Sequence, residues 1–353
     1  MGKLAFFKYC SFLLLVATFI VAVFTFVGIF GGNVPPGGNT ARAMMVYALP
    51  LLVVADFIFL VYWLARRRWH WSVIPFITLL CCIPYIGTIF QIGIQGAEDD
   101  KEKGLTIASY NAAMFNRETT GFIAQDILAQ MKKKKVDILC MQEYNEASGD
   151  KRNSDSYKEF FPHMAVGQGD MVIYSRYPIK KHKKISFDSN QSAMWADVDV
   201  DGKLIRVVNV HLESTGVNRT LSKAAKQKYP GGDIKSNALL KLIYGNYTSG
   251  MVVRGYQAET VTSEAQKGLK KNQSLIVCGD FNDVPYSYTY KTMLGDLTDG
   301  FKECGSGWMY TYRGKKMFRI DYIFHDDSME GLTYYKEDFS YSDHYPVFMK
   351  LKL

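Results

Sequence analysis

Three long apolar segments near the N-terminus constrain the architecture of this chain more than any other feature of its sequence. They cover residues 11–30, 44–65 and 72–94. An α-helix rises about 1.5 Å per residue, so roughly 20 apolar residues cross a hydrocarbon core about 30 Å thick. Trp63, Trp69 and Trp71 lie at the ends of the second and third segments, where indole rings favour the headgroup region. We therefore predict three transmembrane helices, which form a membrane anchor over residues 1–97.

The charges around these segments predict their direction across the membrane. The basic residues that flank them on one side are Lys3, Lys8, Arg66, Arg67 and Arg68, whereas the loop at residues 31–42 is nearly uncharged. Because basic loops stay in the cytoplasm, the N-terminus is predicted inside and everything after residue 97 outside. Asp56 is the lone acid in a predicted span. A single carboxylate does not define a transport path, so it is assigned no role.

The rest of the chain has the pattern of a water-soluble α/β domain. Residues 98–104 are predicted to be a polar linker and residues 105–353 the domain. Strand-like apolar runs alternate with helical stretches at 119–132 and 222–269, and Asp201-Gly202 between two such runs predicts a hairpin. The predicted strands include residues 318–324 and 345–353. This mixture favours two packed, mixed β-sheets covered by helices, which is a four-layer α/β sandwich.

Polar side chains recur where the predicted strands end or begin. They are Asn111, Glu143, His211, Asp280, Asn282, Asp321, Asp343 and His344. Because strand ends meet along one edge of a sheet, these groups are expected to converge in one cleft. Asp283 is interpreted as a turn residue, and Arg254 is left without a role.

The residue types in this set favour metal-assisted phosphoryl chemistry. Magnesium prefers carboxylate oxygens and retains bound water, while imidazoles paired with carboxylates supply acid, base or hydrogen-bond donor groups. The six cysteines show no zinc spacing. The formal net charge of +8 suits an anionic partner, although the loop arginines account for part of it. We predict Mg²⁺, with Mn²⁺ as a second possibility.

Seven segments together resemble the endonuclease/exonuclease/phosphatase superfamily, over roughly residues 105–353. They are ASYNAAMFN, DILCMQEYN, MVIYSRYPI, VVNVHLES, VCGDFNDVPYS, RIDYIF and YSDHYPV. GDFND and SDHYP are the most specific of them, and their joint order is the strongest signal. The chain looks most similar to a membrane-anchored bacterial branch, which implies the cytoplasmic membrane with the catalytic domain on its outer face.

The resemblance implies metal ligands at three positions. Glu143 is the expected principal ligand, with Asn111 beside it. Asp343 is expected to support a metal or its water shell.

The resemblance also implies catalytic roles at five positions. Asp280 is expected to orient or deprotonate the attacking water, and Asn282 to hold a phosphate oxygen. His344 is expected to contact the scissile phosphate while Asp321 holds its imidazole. His211 matches a second histidine of the deoxyribonuclease and sphingomyelinase branches. Which group acts as general acid and which as general base stays open.

The predicted function is hydrolysis of phosphodiester (nuclease-like) or phosphomonoester bonds. The expected substrate is nucleic acid or a lipid headgroup, and no protein partner is predicted. One alternative is a lipid phosphodiesterase of the sphingomyelinase type. Another is a non-catalytic, membrane-tethered binding module, which missing catalytic residues would favour, yet every expected position is filled.

Overall fold

The computed structural model describes residues 3–93, 103–116, 122–144, 151–168, 170–188, 191–216, 236–314 and 318–353. Several predicted features therefore lie partly outside the described residues. These are the linker at 98–104 before residue 103, the start of the helix at 119–132, and the helical stretch at 222–269 before residue 236.

Three apolar helices open the chain, and each is long and apolar enough to cross a membrane. They are α1 (Lys3–Gly31), α2 (Thr40–Ala65) and α3 (Trp69–Ile86). The third ends eight residues before the predicted boundary at residue 94. Phe90 and Gln91 instead form strand β1, which pairs with Trp308 and Gly307 of the soluble part. Backbone groups bonded in this way belong to the domain and not to a hydrocarbon-spanning helix.

Polar side chains in the helices bond to one another inside the bundle. The hydroxyl of Thr25 donates to Asp56 Oδ2 at 2.7 Å, and Trp63 Nε1 donates to Thr18 Oγ1 at 3.0 Å. Asp56 is fully buried. It therefore faces a neighbouring helix, which is the arrangement that makes an acid in an apolar segment tolerable.

Two six-stranded mixed sheets form the centre of the soluble part, as predicted. Their strand orders are β10-β12-β9-β8-β7-β6 and β13-β14-β2-β3-β5-β4. The longer strands are β2 (Leu105–Asn111), β3 (Ile138–Gln142), β6 (Ile179–Ser186), β7 (Ser192–Val200), β8 (Lys203–His211), β9 (Ser274–Asp280), β12 (Asp321–His325), β13 (Glu330–Lys336) and β14 (Val347–Lys352). The shorter strands are β1 (Phe90–Gln91), β4 (His163–Val166), β5 (Val172–Ser175), β10 (Thr298–Asp299) and β11 (Gly307–Trp308).

Helices cover both outer faces and complete four layers. They are α4 (Ala113–Asn116), α5 (Phe122–Lys133), α6 (Lys151–Phe160), α7 (Ser236–Gln266), α8 (Tyr288–Leu294) and α9 (Gly300–Cys304). One apolar cluster lies between the sheets and includes Ile107, Cys140, Val207 and Ile323. Two others lie under the helices, one beneath α5 and α6 and one beneath α7 and α8.

Local geometry accounts for the predicted hairpin, which forms, and for the predicted strand at 318–324, which begins later than expected. Asp201 and Gly202 join β7 to β8 with φ values of 52° and 90°, the left-handed geometry of a tight hairpin turn. The strand predicted at 318–324 begins only at Asp321. Where the strand begins, the backbone N–H groups of Ile320 and Asp321 both donate to the hydroxyl of Thr311 and not to a neighbouring strand.

Candidate active site

The strand topology brings most of the predicted residues to one edge of the sandwich. Parallel pairing places Asn111 beside Gln142, and His211 beside Asp280. Asp321 begins the antiparallel strand β12 directly opposite Asp280. All of these side chains lie where the two sheets meet at this edge, so the predicted convergence is present.

Asn111 links two carboxylates across the two sheets. Its Nδ2 donates to Glu143 Oε1 at 3.2 Å and to Asp280 Oδ2 at 3.1 Å, while its Oδ1 accepts from the backbone N–H of Ala113. Glu143 has φ 48°, a left-handed conformation that costs a non-glycine residue about 1–3 kcal/mol. Such strain persists only where surrounding contacts fix it, and here it directs the half-exposed carboxylate toward Asn111.

The turn after β9 fixes Asp280 and Asn282 together. The backbone N–H of Asn282 donates to Asp280 Oδ1 at 2.8 Å, and its side-chain amide donates to Leu212 O at 2.9 Å. Gly279 has φ 136°, and a Cβ there would overlap the backbone of Val210, so the position requires glycine. Burial raises the pKa of Asp280 to about 6, against the opposing effect of His344.

His344 and Asp321 form a buried acid–imidazole pair. His344 Nδ1 lies 3.0 Å from Asp321 Oδ2, and its Nε2 lies 3.7 Å from Asp280 Oδ2. Burial alone lowers the pKa of His344, but the carboxylates of Asp321 and Asp280 outweigh it and raise the pKa to about 10. The ring therefore carries a positive charge at neutral pH, with Nε2 directed toward the other acid.

A second imidazole, His211, lies beside Asp280 in the same sheet and faces Glu143 and Asp170 across the cleft. Its Nε2 lies 3.8 Å from Glu143 Oε1 and 4.0 Å from Asp280 Oδ2, and its Nδ1 lies 3.7 Å from Asp170 Oδ2. Burial lowers the pKa of His211, but the net shift is upward because Asp170, Asp280 and Glu143 stabilise the charged ring.

Sequence reasoning missed Asp170. Asp170 lies just before a strand, whereas the other site residues were sought at the ends of strands. The strand that it precedes, β5, runs antiparallel to β3 and therefore starts at the edge where β3 ends. An acid directly before the apolar run at 171–174 was the available signal.

The structure adds a partner for Asp283 and describes the surroundings of Asp343. Asp283 is not only a turn residue, because it is buried and forms an ion pair with Arg254 at 3.2 Å. Asp343 is exposed, and the structure records for it only a backbone bond, in which its carbonyl accepts from Arg313 N–H at 2.7 Å. Its side chain bonds to none of the described residues, so its predicted support of a metal stays a prediction.

The donor chemistry of the site fits a hard divalent cation. Within the described residues, ligand atoms of Asp280, Asp321 and His344 all lie within 4.8 Å of one another. His344 and Asp321 already bond to each other, so the half-exposed carboxylate of Glu143 is the oxygen donor that could hold a cation, beside Asn111, whose amide nitrogen faces it in this structure. Oxygen donors with one open side are what Mg²⁺ or Mn²⁺ requires, since Mg²⁺ keeps several of its waters.

Comparison with known proteins agrees with this architecture. Residues 108–344 match the endonuclease/exonuclease/phosphatase family, and residues 11–89 match a family described only as a domain of unknown function. No curated protein sequence matches the chain.

Several solved structures are similar in fold. An endonuclease/exonuclease/phosphatase protein from Beutenbergia cavernae is 18% identical with a TM-score of 0.50, covering 71% of this chain and 72% of that one. A mannosyl-6-phosphatase from Bacteroides thetaiotaomicron is 19% identical with a TM-score of 0.47, covering 70% and 100%. Sphingomyelinase C from Streptomyces griseocarneus is 16% identical with a TM-score of 0.47, covering 70% and 99%.

Proposed function

The chain belongs to the endonuclease/exonuclease/phosphatase family, a family of phosphoesterases, and from this premise we propose that it is a membrane-anchored, divalent-metal-dependent phosphoric ester hydrolase. The observation that carries the proposal is the meeting of two carboxylate–imidazole pairs with Glu143 and Asn111 at one edge of the sandwich.

A cation held by Glu143, and by Asn111 once its amide oxygen turns from Ala113 N–H toward the cleft, would polarise a phosphate oxygen and offset the charge that develops in the transition state. Asp280 is positioned to accept a proton from an attacking water, because burial gives it a pKa of about 6 and therefore useful basicity near neutral pH. The amide of Asn282 donates to Leu212 O and, over a longer distance, to Asp280 Oδ2, and its second N–H would turn from Asp280 to a non-bridging oxygen when the substrate binds.

The two histidines act from opposite sides of the cleft in this scheme. His344, charged and oriented by Asp321, donates from Nε2 to the phosphate as negative charge accumulates. His211, supported by Asp170, is placed to donate to the phosphate or to the leaving oxygen. The order of proton transfers between them is left open.

We also propose the organisation that the sequence predicts. Residues 1–97 form the anchor, residues 98–104 the linker and residues 105–353 the catalytic domain, which lies outside a bacterial cytoplasmic membrane. Three apolar helices support the anchor, and the arginine loop after Ala65 supports the orientation.

The test is turnover by the full-length protein in detergent, with Mg²⁺ or Mn²⁺ added after chelation. The substrates are a bis-aryl phosphodiester, an aryl phosphomonoester, DNA and RNA. We expect metal-dependent turnover that Asp280→Asn and His344→Gln abolish. A protein that binds metal and stays folded but hydrolyses no phosphate ester would instead support the non-catalytic binding module.

A further inference from the structure

The domain contacts the anchor through the residues that directly follow the catalytic turn. The hydroxyl of Tyr47, in α2, donates to Asp283 Oδ1, and Arg254 Nε donates to Asp283 Oδ2 at 3.2 Å. Asp283 is the neighbour of Asn282 in the chain. The second helix therefore contacts the residue that directly follows Asn282, a member of the proposed catalytic set.

Contacts with the other two helices come from the same corner of the domain. Lys291 Nζ donates to Ile29 O at 3.0 Å and to Asn33 Oδ1 at 2.7 Å, at the end of α1. Arg319 Nη1 donates to Thr88 O at 3.0 Å, just beyond the end of α3. A Cβ added at Gly32 would overlap the carbonyl oxygen of Tyr286, which shows how closely the loop after α1 approaches the domain.

An apolar cluster seals this junction. It joins Ile29, Val46, Leu49, Cys82 and Tyr85 of the helices to Val284 of the domain, with Tyr286 and Phe318 packed against it. The ring of Tyr85 lies 5.5 Å from that of Tyr286. Polar and apolar contacts together fix the position of the domain on the helix ends.

Helix lengths place this junction at the outer edge of the hydrocarbon core. Counting outward from the arginine loop, roughly 20 residues of α2 span about 30 Å and reach Val46. The 18 residues of α3 span about 27 Å and reach Ile86. Both counts give the same level, so Tyr47 and its partner Asp283 lie at the boundary between acyl chains and headgroups.

The proposed catalytic groups are close to that level. Summing ordinary bond lengths from the Cα of Tyr47 through Asp283 puts the Cα of Asn282 at most roughly 17 Å away. At the far end of β8, the turn at Asp201-Gly202 lies about 30 Å from His211. The cleft therefore occupies the membrane-proximal end of the sandwich.

Apolar side chains are exposed around the same end. Ile92, six residues beyond α3, is 94% exposed, and Trp308, paired with β1, is 66% exposed. Tyr256, 65% exposed, lies on α7 near the loop between α1 and α2. The rings of Trp308 and Tyr256 are of the type that favours the interface between lipid and water, and Ile92 adds an exposed aliphatic side chain.

We infer that the substrate is a phosphoester carried by a lipid of the same membrane that holds the anchor. This rests on the proposed function and narrows its substrate class. A lipid phosphate lies in the headgroup layer, roughly 5–8 Å thick on each side, and reaches the cleft by lateral diffusion. A long nucleic acid has to approach the same cleft along the membrane surface.

The test uses the full-length protein in vesicles, with soluble and lipid substrates compared. Phosphatidylcholine, phosphatidylglycerol, phosphatidylethanolamine, sphingomyelin and phosphatidic acid are placed either in the protein's own vesicles or in separate ones. The products measured are inorganic phosphate, the phosphorylated or free headgroup in the water phase, and the lipid left in the vesicle, beside turnover of the bis-aryl phosphodiester. We expect at least one lipid to be hydrolysed at least about tenfold faster in the protein's own membrane, because confinement raises its effective concentration.

Surface variants separate membrane contact from chemistry. Ile92→Ser with Trp308→Ser should lower lipid turnover at least about threefold and leave the soluble diester unchanged, since both residues lie outside the proposed catalytic set and, beyond the ring contact between Trp308 and Phe90, lose only contact with lipid. Leu353→Ser is the matched control, because Leu353 is 42% exposed at the opposite end of the sandwich.

Three results overturn the inference. They are hydrolysis of the soluble diester without any lipid, equal lipid turnover from both vesicle arrangements, and preferred hydrolysis of DNA. Loss of turnover on every substrate, including the soluble diester, would instead reject the proposed function itself.

Discussion

The hydroxyl of Tyr47 in the second apolar helix donates a hydrogen bond to the carboxylate of Asp283, one residue beyond Asn282 in the proposed catalytic turn. The same carboxylate is paired with Arg254, which is fully buried and also donates to Glu213 O at 3.1 Å. The apolar helix bundle and the α/β domain therefore share one polar network. For this reason the experiments use the full-length protein.

Replacing Tyr47 by phenylalanine should weaken the junction without changing its packing. The variant removes one donor to a buried, charged acceptor, which costs about 1.5–3 kcal/mol. Unfolding of the full-length protein in detergent, followed by tryptophan fluorescence, measures the loss. Tyr62→Phe is the control, since the hydroxyl of Tyr62 bonds to none of the described residues. Equal stability of both variants would show that the Tyr47 bond contributes nothing.

The ion pair between Arg254 and Asp283 should show strong coupling in a double-mutant cycle. Arg254→Met leaves a buried carboxylate without its cation and should cost about 3–5 kcal/mol. Asp283→Asn is expected to be comparably destabilising. The double variant should lose less than the sum of the two, because neither charge is then left alone. Strict additivity in the same unfolding assay would contradict a direct pair.

His344→Gln should lower kcat roughly 100- to 10,000-fold, the range for loss of a positioned acid–base group. His325→Gln is a matched control from the far end of β12, the strand that begins with Asp321, the partner of His344. The imidazole of His325 is also buried and paired with an acid, Glu303, at 2.7 Å, but it lies away from the cleft. Steady-state kinetics on the bis-aryl diester compare the two. Equal losses would mean that general destabilisation, and not chemistry, explains the effect.

Glu143→Gln should weaken binding of Mn²⁺ at least about tenfold, since disturbing even a supporting group of a metal site has an effect of that size. Isothermal titration calorimetry with the chelator-treated, full-length protein gives the affinity directly, without relying on turnover. Glu330→Gln provides the control, because Glu330 is exposed on β13 and pairs with Lys352. Unchanged affinity in Glu143→Gln would remove this residue from the metal site.

Local patterns in the sequence predicted the strands with apolar runs, the hairpin at Asp201-Gly202 and the placing of most candidate site residues at strand ends. They did not predict β6, whose mostly exposed lysine-rich sequence contains no apolar run. Polar residues at strand ends have a visible signal, because an apolar run stops directly before them. Asp170 lacked that signal, since it precedes its strand. The pair between Arg254 and Asp283 lacked it too, because its members are 29 residues apart and one lies on a helix. The end of α3 was misplaced because residues 87–93 are apolar enough for a span, although they bond to the domain.

The last prediction concerns pH and Lys291, whose ammonium group lies at the junction. Burial lowers the pKa of Lys291 from 10.5 to about 8. Between these values the unfolded chain holds a proton that the folded protein has released, so this residue's contribution to stability increases as pH rises from about 8 toward 10.5. Its bonds to Ile29 O and Asn33 Oδ1 persist, because the neutral amine still donates.

Lys291→Met removes this dependence. The thermal midpoint of the wild-type protein minus that of the variant should therefore increase between pH 7.5 and pH 9.5, a range chosen to cross the folded pKa of about 8. Lys302→Met, at an exposed position on α9, should show a constant difference. A wild-type advantage that shrinks with rising pH would mean that the junction favours the charged ammonium. The charged ammonium of Lys291 would then stabilise its contacts with Ile29 O and Asn33 Oδ1 at the end of α1. That effect would outweigh the effect of burial on the pKa of Lys291.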